Sequence, residues 1–334
     1  MCSLQSAAIM AGPGYQNYSQ QAVAKGHSVA SLADLGNRQK ASGDLQGAAG
    51  SFYEVLSFDH NSVTAHLGLG AICLASGDLA RALEHTEKAY SLQPTSAEAM
   101  STIGTICRTQ GSLEAASQWY KAALQVNPHC ESTVVSLAVT LVSQGLQLKA
   151  TDPEGAIRCY KEALVHCPTN ANAYYCLGVS YAEQFQYDNA LINYQFSVHF
   201  EPLYAEAYNN MGVIYKEQND LDKALKYYHL AIQCNPRFAQ TLNNMGVAYT
   251  TCGMLQEALE YLSRAVAAAP NYAEAYNNLG WLFWDQGDLN QALRMYERCI
   301  ELSPSSKNPS QNRLLALNYL STVSPRLVFE AHAA

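Results

Sequence analysis

A small residue recurs with a period of thirty-four positions along most of this chain, and this period constrains the fold more than any other sequence feature. The series is Gly36, Gly70, Gly104, Ala138, Gly178, Gly212, Gly246 and Gly280. Alanine follows twelve positions later at Ala48, Ala82, Ala116, Ala190, Ala224, Ala258 and Ala292. Proline follows twenty-four positions after the small residue at Pro94, Pro128, Pro202, Pro236, Pro270 and Pro304. Such a period is typical of a repeat array, which grows along one axis, and not of separate globular domains.

The spacing of these residues matches the tetratricopeptide repeat (TPR), in which two antiparallel helices form each unit. Glycine and alanine stand where the two helices cross, since larger side chains there would hold the backbones apart. Large apolar residues fill the remaining space, such as Tyr208, Met211, Tyr215 and Tyr228 in the sixth unit. The sequence therefore predicts an all-α fold, a right-handed superhelix of about eight helix-turn-helix repeats with a C-terminal capping helix.

The period also divides the chain into segments. We expect residues 1–28, which are polar and contain Gly-Pro-Gly, to be a flexible leader or a partial repeat. The eight repeats are predicted at residues 29–62, 63–96, 97–130, 131–170, 171–204, 205–238, 239–272 and 273–306. Residues 307–334 are expected to hold the capping helix, with an apolar stripe of Leu314, Leu317 and Leu320 that Leu315 widens and Asn318 interrupts.

The turn within each repeat carries a second regular signal. A residue that readily adopts a left-handed backbone conformation stands seven positions after the recurring small residue, at Gly43, Gly77, Gly111, Gly145, Asn219, Gly253 and Gly287. Phe185 is the exception, so we expect its turn to be distorted or differently capped. Aspartate follows directly in four repeats and predicts the N-caps of the second helices, Asp44, Asp78, Asp220 and Asp288.

The fourth repeat is longer than the others by six positions. The surplus falls after Gly145, in the segment LQLKATDPEG that precedes Ala156. It could lengthen the first helix or form a surface loop, and loops on such arrays are either inert or carry contacts.

Composition and charge exclude several classes of function. The formal charge of −8, without a run of lysine and arginine, argues against nucleic acid as a partner. No apolar stretch approaches the length of a membrane span, and the amino terminus does not resemble a signal peptide, so we expect a protein of the cytoplasm and nucleus. The ten cysteines lack metal-ligand spacing and are expected to be small buried side chains in a reducing compartment. We expect no cofactor and no metal.

Two adjacent asparagines recur on the predicted inner wall, which the first helices form. With the first residue of each repeat as position 1, positions 5 and 6 hold Asn209 and Asn210, Asn243 and Asn244, and Asn277 and Asn278. A carboxamide both donates and accepts hydrogen bonds, so it can bind the N–H and C=O groups of a peptide main chain. These asparagines therefore predict a ladder that holds an extended polypeptide while tolerating many sequences. The alternative is that they only solvate an exposed helix face.

Other residues on the predicted inner wall are also candidate binding groups. Trp281 and Trp284 lie one helical turn apart and predict a contact surface for a ligand or a following domain, or else packing on the capping helix. A groove for acidic peptide tails needs several cations on this wall, where only Arg108 and Lys216 qualify. No pattern of nucleophile and base, and no phosphate-binding loop, predicts catalysis within this chain.

The stretch from about residue 130 to residue 320 resembles the SPINDLY proteins of plants and algae, which are relatives of the animal O-GlcNAc transferases. The resemblance rests on the longer fourth repeat and on the segments AYYCLGVSYAEQFQYDNAL, YAEAYNNMGVIYKEQNDLDKA, PRFAQTLNNMGVAYT, NYAEAYNNLG and, above all, NPSQNRLLALNYL. The segment FEAH at 329–332 resembles the start of the region that leads into that family's catalytic domain. We therefore expect the end of the chain to begin a linker to a catalytic domain that these residues lack.

The resemblance implies a nucleocytoplasmic protein that modifies serine and threonine of other proteins with fucose or N-acetylglucosamine, from GDP-fucose or UDP-GlcNAc, and that restrains gibberellin signalling. It also implies that Asn210, Asn244 and Asn278 match an inner asparagine ladder that threads the substrate. Trp281 and Trp284 depart from the family, where smaller residues are expected.

Two functions remain open from the sequence. The first is a substrate-recognition array of a SPINDLY-like glycosyltransferase, which binds extended Ser/Thr-rich segments of protein substrates and is not catalytic by itself. The alternative is a stand-alone TPR scaffold or adaptor for assembling protein complexes. A homodimer formed through the surface of the repeats is also left open.

Overall fold

The computed structural model describes residues 28–304 and 307–319, and in these ranges all regular structure is helical. It contains seventeen α-helices there, which confirms the predicted all-α class. Nearly all of the predicted leader and the end of the chain, including Leu320 and the FEAH segment, lie outside the described residues. None of the helices in the described ranges is long and apolar enough to span a bilayer.

The chain divides into two compact units after Pro168. The first unit contains four helix pairs. Its helices are α1 (Val29–Ala41), α2 (Leu45–Phe58), α3 (Val63–Ala75), α4 (Leu79–Leu92), α5 (Ala97–Thr109), α6 (Leu113–Val126), α7 (Glu131–Leu148) and α8 (Pro153–His166).

The second unit contains four more helix pairs and one further helix. Its helices are α9 (Ala171–Glu183), α10 (Tyr187–Phe200), α11 (Ala205–Glu217), α12 (Leu221–Cys234), α13 (Ala239–Thr251), α14 (Leu255–Ala268), α15 (Ala273–Asp285), α16 (Leu289–Leu302) and α17 (Lys307–Tyr319). The helices of each pair pack against each other, as the helix-turn-helix pattern predicts.

The second helices begin where the sequence predicts their caps. The carboxylate of Asp44 accepts a hydrogen bond of 2.8 Å from the backbone N–H of Gly47, and Asp220 accepts one of 3.1 Å from Lys223. Asp78 and Asp288 cap their helices in the same way. Each cap satisfies an N–H group that has no partner within the helix.

The turns between paired helices use the left-handed backbone conformation, and two predictions about them were wrong. Phe185 adopts φ 59° and Asn219 φ 63°, in the same range as the turn glycines at 43, 77, 111, 253 and 287. The N–H of Phe185 donates to the carbonyl of Ala182 over 3.0 Å, so this turn keeps the common pattern. Gly145, by contrast, lies inside α7 and makes no such turn.

The surplus of the fourth repeat lengthens its first helix. Helix α7 has 18 residues, whereas the first helices of the other repeats have 13. Gly145 is buried within α7, and a Cβ atom there would meet the ring of Tyr160 at 2.3 Å. A close helix crossing therefore explains this glycine, which no turn requires.

The recurring glycines mark helix crossings, as predicted. A Cβ atom on Gly212 would approach the buried ring of Tyr228 to 2.5 Å, and one on Gly280 would meet Tyr296 at the same distance. In the sixth repeat, Met211 and Tyr228 are fully buried, while Tyr208 and Tyr215 are half-buried.

Helix α17 covers the last helix pair. Ala316 is fully buried in a cluster with Ala292 and Tyr296, and Leu317 is also buried. Leu315 is 49% exposed, so it does not widen the apolar stripe as predicted. The side chain of Asn318 lies outside the described residues.

Candidate functional site

The inner side of each unit is made by the first helices of its repeats. First helices of successive repeats contact one another, as α1 contacts α3 and α9 contacts α11. Within the described ranges, second helices of successive repeats make no comparable contact. The first helices are therefore the closer set in each stack, which places the wall that they form on its concave side.

The asparagine pairs of the second unit form a chain of hydrogen bonds from one repeat to the next. The amide of Asn244 donates to Oδ1 of Asn209 over 3.1 Å, and Asn278 donates to Oδ1 of Asn243 over 2.9 Å. Asn312, on the capping helix, continues the series with a bond of 3.1 Å to Asn277. We call these three bonds the amide ladder. In each of them, the amide at position 6 donates to the oxygen at position 5 of the preceding repeat.

The asparagines at position 5 lie in the interior, which corrects the prediction that both amides of each pair face a ligand. Asn209 is 1% exposed and Asn243 is fully buried. Oδ1 of Asn209 also accepts a bond of 3.0 Å from the hydroxyl of the buried Thr241. A buried polar group is tolerated when its hydrogen bonds are satisfied, and here they join adjacent repeats. Asn277 is half-buried and has the same acceptor role.

Two of the asparagines at position 6, Asn244 and Asn278, keep part of their amides free. Both side chains are half-buried, and each uses one N–H in the amide ladder. Among the described residues, neither Oδ1 atom has a hydrogen-bond partner. Each side chain therefore keeps an acceptor and a second N–H on the first-helix wall, held in position by its bond to the previous repeat.

Asn210 differs from the other asparagines at position 6. Its amide donates to the hydroxyls of Tyr175 and Tyr194 over 3.4 and 3.3 Å, and its Oδ1 accepts from Asn209 over 3.2 Å. Burial raises the pKa of both tyrosines, so their hydroxyls stay neutral at physiological pH. Asn210 is therefore bound within the protein more fully than Asn244 and Asn278.

The two tryptophans of the last repeat have different environments. Trp281 is 51% exposed, whereas Trp284 packs against the cluster of Ala292, Tyr296 and Ala316. The structure thus favours packing near the capping helix for Trp284 and leaves Trp281 as an exposed aromatic side chain.

The amide ladder was not anticipated from the sequence. The available signal was Asn312, which stands one full period after Asn278 inside the segment NPSQNRLLALNYL. Asn312 occupies position 6 although the capping helix is not part of a repeat. An asparagine kept at this position indicates a hydrogen bond to the preceding repeat.

Sequence profiles support the repeat assignment along most of the chain. Profiles described as Tetratricopeptide repeat match residues 31–97, 97–130, 205–238 and 237–305, and one described as TPR repeat matches residues 152–184. Helix pairs stacked in this way form a helical repeat scaffold, a class whose concave surface binds other proteins. The chain belongs to the tetratricopeptide repeat family.

Several solved structures are similar to this chain. The chain is 30% identical to MamA, with 52% of this chain and 97% of MamA covered and a TM-score of 0.41. PilW, a type IV pilus biogenesis factor, is 20% identical, with 59% and 91% covered and a TM-score of 0.51. The Cut9-Hcn1 complex of the APC/C is 16% identical, with 86% and 55% covered and a TM-score of 0.50. The last two similarities show the fold alone. A search of curated proteins found no match.

Proposed function

We propose that the first-helix wall of the second unit binds the main chain of an extended polypeptide, and that this is the substrate-recognition region of a SPINDLY-like protein O-fucosyl or O-GlcNAc transferase. The observation that carries the proposal is the pair of unpaired amide oxygens on Asn244 and Asn278. Their recurrence at the repeat spacing suits a ligand whose polar groups also recur, as those of a polypeptide do.

The amide ladder supports this function because it orients the binding groups in advance. The bond from Asn244 to Asn209 restricts the rotation of its side chain, so less entropy is lost when a ligand binds. A free oxygen and a free N–H can then pair with the N–H and C=O of a bound peptide. Contacts of this kind read the main chain, so Ser/Thr-rich disordered segments of many sequences fit the site.

The glycosyltransferase part of the proposal is supported by the resemblance of residues 130–320 to SPINDLY proteins. Under this proposal, the repeats bring nuclear and cytoplasmic clients to a catalytic region that uses GDP-fucose or UDP-GlcNAc. The alternative remains a stand-alone scaffold that uses the same wall to assemble complexes.

A binding measurement tests the wall. The double variant Asn244→Ala, Asn278→Ala removes two sets of hydrogen bonds, each contributing about 0.5–1.5 kcal/mol, so affinity for an unstructured Ser/Thr-rich peptide should fall roughly 5- to 100-fold. Fluorescence anisotropy with a labelled peptide gives the dissociation constants. Ser136→Ala, at position 6 of the fourth repeat, is the matched control and should leave affinity unchanged.

Both substitutions also remove bonds of the amide ladder, so a weaker affinity could result from a less stable protein. A second experiment therefore changes the peptide and leaves the protein unaltered. Peptides N-methylated at alternate residues lose main-chain donors and should bind the unaltered protein more weakly, whereas peptides of shuffled sequence should bind equally well. Equal affinity for methylated and unmethylated peptides would contradict main-chain recognition.

The glycosyltransferase and the stand-alone scaffold differ in what the gene is expected to encode after Ala334. Sequencing the transcript should show the reading frame continuing into a sugar-nucleotide-binding region if the glycosyltransferase proposal holds. A stop codon at that point would favour the scaffold.

A further inference from the structure

A cavity of about 270 Å³ lies next to Asn210 in the second unit. It is bounded by the first helices α9 and α11 and by the second helix α10. Since pockets for drug-sized ligands typically have about 300–1,000 Å³, this volume suits one large side chain better than a whole cofactor.

The lining of the cavity is mainly apolar. Four aliphatic residues contribute to it, namely Val179, Ala182, Val213 and Ile214. The side chains of Tyr187 and Tyr194 add two aromatic rings. Ile214 and Tyr194 are buried, whereas the other four are half-buried, so the apolar surface extends from the interior to the first-helix wall.

The amide beside this apolar surface is already bound within the protein. The nitrogen of Asn210 donates to the hydroxyls of Tyr175 and Tyr194, and its oxygen accepts from the neighbouring asparagine. Where Asn244 and Asn278 present free oxygens to a main chain, this part of the wall therefore presents an apolar cavity.

The two carboxylates of the lining are engaged as well. Oε1 of Glu217 is paired with Nζ of Lys216 at 3.5 Å, and Glu183 also interacts within the protein. Both glutamates are exposed, and solvent and salt screen charges in such positions. The apolar surface, and not a charge, therefore determines what the cavity binds.

We propose that this cavity binds a large apolar side chain, phenylalanine in particular, from the polypeptide on the wall. The aliphatic residues and the rings of Tyr187 and Tyr194 contact the bound ring, and aromatic pairs add to the gain from buried area. A polar side chain there loses its water without gaining a hydrogen bond. The inference rests on the proposed main-chain binding and adds a residue preference to it.

Peptides that differ at one position test the preference. A series of Ser/Thr-rich peptides carries one phenylalanine at successive positions, and a second series carries glutamine, which is large but polar, at the same positions. At the position that reaches the cavity, the phenylalanine peptide should bind about 5- to 50-fold more tightly, because a large apolar side chain leaves water. Added salt should not reduce this advantage, because no ion pair carries it.

Variants of the protein connect the preference to the cavity. Val179→Phe places a ring in the cavity itself, so the phenylalanine advantage should disappear. Val139→Phe is the matched control, since Val139 stands at the same position of the fourth repeat, outside this cavity, and the advantage should persist there. Ala182→Leu fills the cavity from another point of α9 and replaces Val179→Phe if circular dichroism shows that Val179→Phe is unfolded.

The outcomes separate this inference from the proposal on which it rests. If phenylalanine gives no advantage at any position, the apolar preference is wrong and main-chain binding stands. If neither series binds at all, both are wrong. An advantage that survives when the cavity is filled, or that Val139→Phe also removes, overturns the assignment to this cavity.

Discussion

At the scale of single residues, Phe185 holds a backbone conformation that an aromatic residue rarely adopts. Its φ is 59°, and its side chain is 78% exposed, so little packing offsets the strain. Asn219 occupies the same place in the next repeat with φ 63°. Asparagine tolerates the left-handed conformation, so the sequence correctly predicted a left-handed turn at Asn219. An aromatic residue rarely adopts it, so the sequence wrongly indicated a distorted or differently capped turn at Phe185.

Phe185→Asn should therefore stabilise the protein, by about 1 kcal/mol, because the left-handed conformation costs a bulky residue roughly that amount. Urea unfolding followed by circular dichroism measures the change in the midpoint. The reverse kind of substitution, Gly253→Phe, acts at a turn with φ 74° and open space around it, and it should destabilise by a similar amount. A lower midpoint for Phe185→Asn would refute the strain argument.

Two histidines in the second repeat are paired in a way that depends on their protonation. The Nδ1 atoms of His66 and His85 lie 3.1 Å apart, so one hydrogen bond joins them and only one Nδ1 can carry its proton. Burial lowers the pKa of His66, and burial together with the nearby His66 lowers the pKa of His85. The nearby Glu84 carboxylate raises the pKa of both histidines. Lys88 lowers the pKa of His66 further, and Arg81 lowers the pKa of His85 further.

The histidine pair predicts loss of stability in mild acid. Below about pH 6.5, the unfolded chain binds more protons at these sites than the folded protein, so the free energy of unfolding falls as the pH drops. The loss in urea midpoint between about pH 7.5 and about pH 5.5 should be smaller in His85→Gln, which cannot be protonated. Ser91 lines the same surface cavity as His66 and His85, and Ser91→Ala should keep the full loss. An unchanged loss in His85→Gln would contradict the prediction.

At the scale of helices, the close crossing within each repeat depends on glycine. A Cβ atom on Gly212 would meet the ring of Tyr228 at 2.5 Å, and that ring is fully buried. Gly212→Ala should therefore destabilise by about 1–3 kcal/mol, the usual cost of overpacking. Gly50 is also helical, but an added methyl group there would meet nothing within 4 Å, so Gly50→Ala should stabilise by about 0.5–1 kcal/mol.

Thermal unfolding of the two glycine variants, measured side by side, checks both signs. Equal effects of Gly212→Ala and Gly50→Ala would show that helix propensity, and not the crossing, decides the outcome at both positions.

The helices also show which elements could be predicted. Asp44 and Asp220 cap helices through bonds to residues three positions away, so local sequence suffices to predict them. The surplus of the fourth repeat was compatible with either a helix or a loop. In the structure the surplus is helical, and Gly145 packs on Tyr160. Because this contact joins two different helices, local sequence does not reveal it.

At the scale of the whole molecule, a repeat array needs a cover for its last apolar face. Ala316 of α17 provides it, packed against Ala292 and Tyr296. Ala316→Asp would bury an unpaired charge there and should destabilise the last repeat by about 3 kcal/mol or more. Trp284 packs on the same cluster, so its fluorescence should shift to the red at urea concentrations where the unaltered protein is still folded.

The neighbouring substitution Leu315→Asp is the control for the cover. Leu315 is 49% exposed, so its replacement should change the urea midpoint much less than Ala316→Asp. Similar losses in both variants would show that α17 as a whole, and not the Ala316 contact, determines the stability of the last repeat.

The sequence by itself determined the repeat, the two helices in each unit, the aspartate caps and the left-handed turns at glycine and Asn219, because each depends on contacts between residues close in the chain or repeated at one interval. It did not determine the turn at Phe185 or the place of Gly145 inside a helix. Only the tertiary structure decided the roles of the asparagines. An amide bonds equally well to a ligand and to a neighbouring repeat. The rotation of each first helix buries Asn209 and Asn243 as acceptors and leaves the free oxygens of Asn244 and Asn278 on the wall.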